Sequence, residues 1–153
     1  MHRQPVIDAR LARAPLFQGL SKRELRLVSA RTTRLDEPAG RTLITEGATG
    51  HEFIIVLDGQ VEVWSKDRHL ATRGPGEHLG EMALVEHQPR SATVSTTTRV
   101  TIDVISDHDF RALMDEVPAL VPRIAAAISA RRADVALDWV ASAGARSPEE
   151  LTL

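Results

Sequence analysis

Between Leu79 and Val94 the chain gathers residue types that could hold a phosphorylated sugar. Leu79-Gly80-Glu81-Met82-Ala83-Leu84 is followed by Pro89-Arg90-Ser91-Ala92-Thr93-Val94. Gly80, lacking a Cβ, lets the backbone come close to another group. A short helix opening there would turn its unpaired N–H groups outward, where they attract an anion. Arg90, nine residues past Glu81 and beyond the Pro89 turn, could add a two-pronged charged donor to the same anion. Ser91 adds a hydroxyl and its own N–H. A carboxylate beside an anion is repulsive, so Glu81 makes sense there only as an acceptor for neutral hydroxyls. An acceptor for hydroxyls next to an anion clamp describes a ribose phosphate. Either half alone says little, because a Gly-Glu pair usually just starts a helix and Pro-Arg-Ser is usually a solvated turn. The two together, at this spacing, carry the signal.

Other chemistries find less to work with. The 153 residues contain no cysteine, which excludes disulfide frameworks, thiolate zinc sites and cysteine nucleophiles. The histidines (His2, His51, His69, His78, His87, His108) form no His-x-His pair, and His78 with Glu81 is only a three-residue spacing. No metal is expected. Gly-x-Ser-x-Gly is absent, so no nucleophile elbow marks an enzyme, and none is expected. Lys+Arg 19 against Asp+Glu 21 leaves a formal charge of −2, without the basic footprint of a nucleic-acid binder. Phe17, Phe53, Phe110, Trp64 and Trp139 are too few for a base-stacking platform. No apolar run approaches the ~18 residues of a membrane span. Met1-His2-Arg3-Gln4-Pro5 leads into no signal sequence, so a cytoplasmic protein without membrane contact is expected.

Three zones must position these residues in what reads as one globular domain. Residues 1–30 read as N-terminal helices, with Ser21-Lys22-Arg23-Glu24 as a capping box and Pro15 and Gly19 as breaks. Residues 31–105 read as β, in pieces at Thr32–Asp36, Thr42–Thr45, Phe53–Leu57, Val61–Trp64, His69–Thr72, Ala92–Thr97 and Val100–Ile105. Asp58-Gly59 between two apolar runs predicts a hairpin. Glu81–Glu86 interrupts the β pattern as a short helix-prone stretch. Residues 106–142 read as C-terminal helices, opened by a Ser106 cap with acids in the first turn and restarted after Pro118. Residues 143–153 read as a polar tail. Many short strands with glycine turns suggest a sandwich, jelly roll or barrel.

The motif at 79–94 resembles the phosphate-binding cassette of cyclic nucleotide-binding domains, the sensors of catabolite activator proteins, protein kinase A regulatory subunits and cyclic-nucleotide-gated channels. The resemblance runs over about residues 11–135 and includes Pro15-Leu16-Phe17 and Gly59, Gly76 and Gly80. It implies a mainly β fold with flanking helices (α+β): an eight-stranded, jelly-roll-like β-roll with N-terminal helices and a long C-terminal helix. It implies that Leu79, Gly80, Glu81, Met82, Ala83, Arg90, Ser91 and Ala92 line the site. Glu81 would accept the ribose 2′-OH and Arg90 would hold the cyclic phosphate. Ser91, where threonine goes with cGMP, leans to cAMP, with cGMP as second ligand. No cofactor is implied.

The segment after Val140 is too short for the winged helix-turn-helix of catabolite activators, so no DNA binding by this chain alone is expected. A regulatory sensor, acting on an unknown protein partner through movement about Pro118, is expected, whether stand-alone or part of a larger transcription regulator. A ligand-free interaction or dimerisation module is the alternative. Val121, Ile124, Ile128 and Val135 fall near heptad spacing, which suits a homodimer through the C-terminal helix, although Arg131 and Asp138 share that seam. Arg131-Arg132 reads first as a solvated face, with reach to a ligand or partner as the alternative. Trp139 reads first as an anchor against the domain or a mate, with capping of a purine as the alternative.

Overall fold

The computed structural model describes residues 6–81, 84 and 89–143, with 133–143 by backbone alone. Expectations for Met82, Ala83 and the tail, and for the side chains of Val135, Asp138 and Trp139, lie outside the described residues. Helix α1 (Ala9–Arg13) opens on Asp8, whose carboxylate accepts the Arg10 N–H at 2.8 Å. A 3-10 turn follows at Pro15–Phe17, then α2 (Lys22–Ala30). The capping box of α2 forms in both directions: Glu24 N–H donates to Ser21 Oγ at 3.1 Å, and Ser21 N–H to Glu24 Oε1 at 2.9 Å.

Eight strands come next: β1 (Thr33–Glu37), β2 (Thr42–Ile44), β3 (Glu52–Asp58), β4 (Val61–Ser65), β5 (Arg68–Arg73), β6 (His78–Leu79), β7 (Thr93–Thr96) and β8 (Val100–Ser106). They make two antiparallel four-stranded sheets, ordered β1-β8-β3-β6 and β2-β7-β4-β5. Helices α3 (Asp107–Glu116, capped by Ser106) and α4 (Leu120–Ala143) close the fold. The break between them falls at Pro118, as its chemistry requires.

Strand β3 explains the layering. Its five inner residues are all buried. Side chains alternate between faces, so Phe53, Ile55 and Leu57 pack with Phe17, Ile105, Phe110 and Leu113 under the helices. Ile54 and Val56 pack with Ile44, Val61, Val94 and Ile102 between the sheets. A strand apolar on both faces needs cover on both, and the helical layer and the second sheet supply it.

That requirement overturns the expected hairpin. Strands β3 and β4 do not pair; Asp58-Gly59 carries the chain from the first sheet to the second. Gly59 sits at φ +83°, and a Cβ there would fall 2.2 Å from the Arg99 carbonyl oxygen. The tight two-residue hairpin lies instead at Lys66-Asp67, both at positive φ, between the paired Ser65 and Arg68. The two-residue strand β6 was absent from the sequence reading because two residues carry no alternation to detect.

The heptad set on α4 is split. Ile124 and Ile128 are buried in the domain's own helical core, while Val121 is exposed. That stretch of the seam is spent on intramolecular packing.

Candidate functional site

The Arg90 backbone is pinned first. Its N–H donates to the Ala48 carbonyl at 2.8 Å and its carbonyl accepts the Gly47 N–H at 2.8 Å, tying the turn before β7 to the turn before β3. The side chain then runs inward and is only 6% exposed. Nη1 donates to the Gly80 carbonyl at 3.1 Å and Nη2 to the Glu52 carbonyl at 2.6 Å. Burial lowers the guanidinium's pKa, and the nearby Glu52 and Glu81 charges oppose that shift. A guanidinium has five N–H donors, so two main-chain bonds leave donors for an anion.

Gly80 makes this seating possible. It lies at φ +96°, and a Cβ on it would fall 2.5 Å from Arg90 Nη1 and 2.7 Å from the Glu52 carbonyl oxygen. The close approach anticipated for this glycine is therefore to the site's own arginine.

Glu81 follows immediately and is fully buried. His78 Nδ1 lies 3.2 Å from Oε2, and Arg131 Nη1 from α4 pairs with Oε1 at 2.9 Å. Arg131 also donates to the His78 carbonyl. Burial pushes the Glu81 carboxyl up, but the hydrogen bond from His78 and the Arg131 and His78 charges outweigh it. The net shift is downward, so Glu81 is a carboxylate. The His78 ring is stacked on Phe53 with centroids 5.4 Å apart, and Phe53 in turn meets Phe110.

Gly80, Glu81 and Arg90 are thus brought together. Leu79 is not aimed the same way: paired with Ile54, its side chain packs between the sheets. Ser91 is exposed and Ala92 half-buried as the chain leaves Arg90 for β7. Two residues of the cluster were not anticipated. His78 was signalled only by its three-residue spacing from Glu81. Arg131 corrects the expectation of a solvated face, since it contacts Glu81 and His78 from fifty residues away with no local pattern to mark it. Among the described residues no group of three or more histidine and acidic side chains could hold a metal ion.

A buried carboxylate and a buried guanidinium, flanking one glycine, can receive neutral hydroxyls and an anion side by side. A model of the family described as cyclic nucleotide-binding domain matches residues 36–117, more than half of the chain. The chain belongs to that family. A cyclic nucleotide-gated potassium channel of Rhizobium etli is 36% identical over 74% of this chain and 32% of its own length. A cAMP-dependent protein kinase regulatory subunit of Yarrowia lipolytica is 33% identical over 75% of this chain and 31% of its own. The crystal structure of the Thermus thermophilus catabolite activator protein superposes with a TM-score of 0.72 at 32% identity, covering 83% of this chain and 63% of that one. This cyclic nucleotide-binding regulatory domain therefore spans about a third of the two curated relatives. The two-sheet β-roll with flanking helices is the fold it shares with the catabolite activator. No helix among the described residues is long and apolar enough to cross a membrane.

Proposed function

We propose that this domain is a cAMP-responsive sensor that signals through α4. The observation that carries the reading is the pairing of Glu81 with Arg131, because it ties the site directly to the C-terminal helix. Arg90 binds the cyclic phosphate with the donors its main-chain bonds leave free. Glu81 accepts the ribose 2′-hydroxyl, and Ser91, exposed beside Arg90, adds a contact at the phosphate or base. A nucleotide that engages Glu81 changes the carboxylate to which Arg131 is bonded, and so changes the balance that holds α4. Pro118 supplies the break about which α4 swings.

cAMP is favoured over cGMP on the Ser91 side chain. The output is an altered surface for a protein partner, without a cofactor and without catalysis, in the cytoplasm. With a net charge of −2, these residues alone do not bind duplex DNA.

Thermal denaturation with each nucleotide tests the reading. Ligand at a hundredfold over its Kd adds about 2.7 kcal/mol of stability. cAMP should raise the melting temperature at lower concentration than cGMP. A melting curve unmoved by either nucleotide at millimolar concentration would leave a ligand-free interaction module instead.

A further inference from the structure

We propose that His78 is a positioning residue for ribose recognition: it aims the Glu81 carboxylate at the sugar hydroxyl independently of where α4 stands. The inference rests on the reading of Glu81 as the hydroxyl acceptor. Both oxygens of Glu81 face a basic side chain, but on different terms: Oε1 forms an ion pair without a hydrogen bond, and Oε2 forms a hydrogen bond. Oε1 meets Arg131, which arrives on α4, the element proposed to move. Oε2 meets His78 Nδ1 at 3.2 Å. His78 belongs to β6, where it is in register with Ile55 of the central strand β3. Its ring is stacked on Phe53, a core residue 1% exposed, with centroids 5.4 Å apart.

His78 is therefore fixed to the β-roll, and whatever α4 does, one donor stays on the carboxylate. Because Glu81 is ionised, a hydrogen bond at this distance requires the proton on Nδ1. A carboxylate offers about four lone-pair sites. A single bond at Oε2 fixes its plane and leaves acceptor capacity for a neutral O–H. Without it, a buried carboxylate whose other side-chain partner is a helix-borne arginine would turn with that arginine, and its lone pairs would no longer meet the sugar in a fixed direction.

This role differs from a packing role in what it predicts. Loss of packing would weaken every nucleotide alike. Loss of aim should weaken only those that carry the 2′-hydroxyl. The experiment compares cAMP with 2′-deoxy-cAMP by calorimetry on the whole chain and three variants. H78F keeps a ring against Phe53 and removes the donor. H78M fills much of the same space without a donor and stands in should H78F not fold. H78N offers an amide nitrogen close to the Nδ1 position.

The parent should bind cAMP at least fivefold more tightly than the deoxy ligand. H78F or H78M should bring that ratio to threefold or less, mainly through cAMP, while deoxy-ligand affinity stays within about threefold of the parent's. H78N should restore at least half of the lost discrimination on a logarithmic scale. A ratio in H78F or H78M equal to the parent's would overturn the inference and leave the Glu81 reading intact. Parallel weakening of both ligands, without rescue in H78N, would also overturn it. A parent that binds both ligands equally would overturn the Glu81 reading itself.

Discussion

The two ends of the candidate site are held in different ways. At the Arg90 end every hydrogen bond among the described residues is to main chain: the Gly80 and Glu52 carbonyls hold the guanidinium, and Gly47 and Ala48 hold its backbone. At the Glu81 end the contacts are side chain to side chain, and one of them crosses to α4. The Glu52 carbonyl belongs to the central strand β3 and does not relocate without unfolding the sheet, whereas a salt bridge to a docked helix can exchange partners. On the proposed reading, the Arg90 end is the ready part of the site and the Glu81 end the part shared between nucleotide and α4.

The largest expected effect breaks the ready end. Arg90→Ala removes the proposed charged partner of the phosphate and takes one donor from each of the Gly80 and Glu52 carbonyls. Nucleotide affinity should fall by about 2–5 kcal/mol, the scale for losing one member of a desolvated charge pair. Calorimetry with cAMP and cGMP reads the loss, which should be similar for both because neither base is involved. Affinity within twofold of the parent would remove Arg90 from the site.

Gly80→Ala strikes the same end through the backbone. A Cβ there meets Arg90 Nη1 at 2.5 Å and the Glu52 carbonyl at 2.7 Å, on a backbone at φ +96°. One of these contacts is with main chain that cannot step aside. Destabilisation of about 2–3 kcal/mol is expected from the strained backbone, together with weaker nucleotide binding because Arg90 is displaced. Urea denaturation and calorimetry on the same sample separate the two effects. An unchanged denaturation midpoint would show that the turn relaxes freely.

Much of the ready end was legible in the sequence, and the shared end was only half so. Gly80, Glu81 and Arg90 stood out because a close-approach glycine, an acid and a base at fixed spacing are a local pattern. The α2 capping box, the Ser106 cap and the Pro118 break were legible for the same reason. Arg131 was not, since its partner is set by how α4 packs across the roll, and on its own helix it reads as one more charged residue. The Asp58-Gly59 turn misled for a related reason. Its composition fits a hairpin, but β3 is apolar on both faces, and the need to cover both sends the next strand into the other sheet. Likewise Ile124 and Ile128 have a spacing that suits a second helix, and tertiary packing turns them inward.

At the shared end the direct probe is the ligand. If Glu81 accepts the ribose hydroxyl, 2′-deoxy-cAMP should bind more weakly than cAMP by about 1–3 kcal/mol, the cost of a buried acceptor left short of a donor. In Glu81→Ala the gap should close, and the Arg90 end should still bind both ligands weakly. Competition binding with a fluorescent cyclic nucleotide reads both numbers. A gap that persists in Glu81→Ala would assign the hydroxyl to another acceptor.

The smallest expected effect distinguishes the two ends by titration. Arg90 keeps its charge at any pH the protein survives, so its end should be indifferent to acid. The Glu81 carboxyl is held below its ordinary value of 4.5 in the folded chain by His78 and Arg131, against the opposing push of burial. A depressed folded-state value means that protons bind the unfolded chain more readily. The stabilisation is therefore complete above about pH 4.5 and is lost as the pH falls through the folded-state value. Asp8, held at about 2 chiefly by its hydrogen bond with Arg10, and Glu24 and Glu46 titrate in the same direction, so the parent's acid curve alone cannot isolate Glu81. The difference between parent and Glu81→Gln can, because the other acids are common to both. That difference should favour the parent near neutral pH, where the Glu81 carboxylate is fully ionised. It should shrink steadily below pH 4.5 in urea melts taken without nucleotide. A difference that stays constant from neutral pH to pH 3 would mean that Glu81 contributes packing alone, and that the pairing with His78 and Arg131 does not tie α4 to the site.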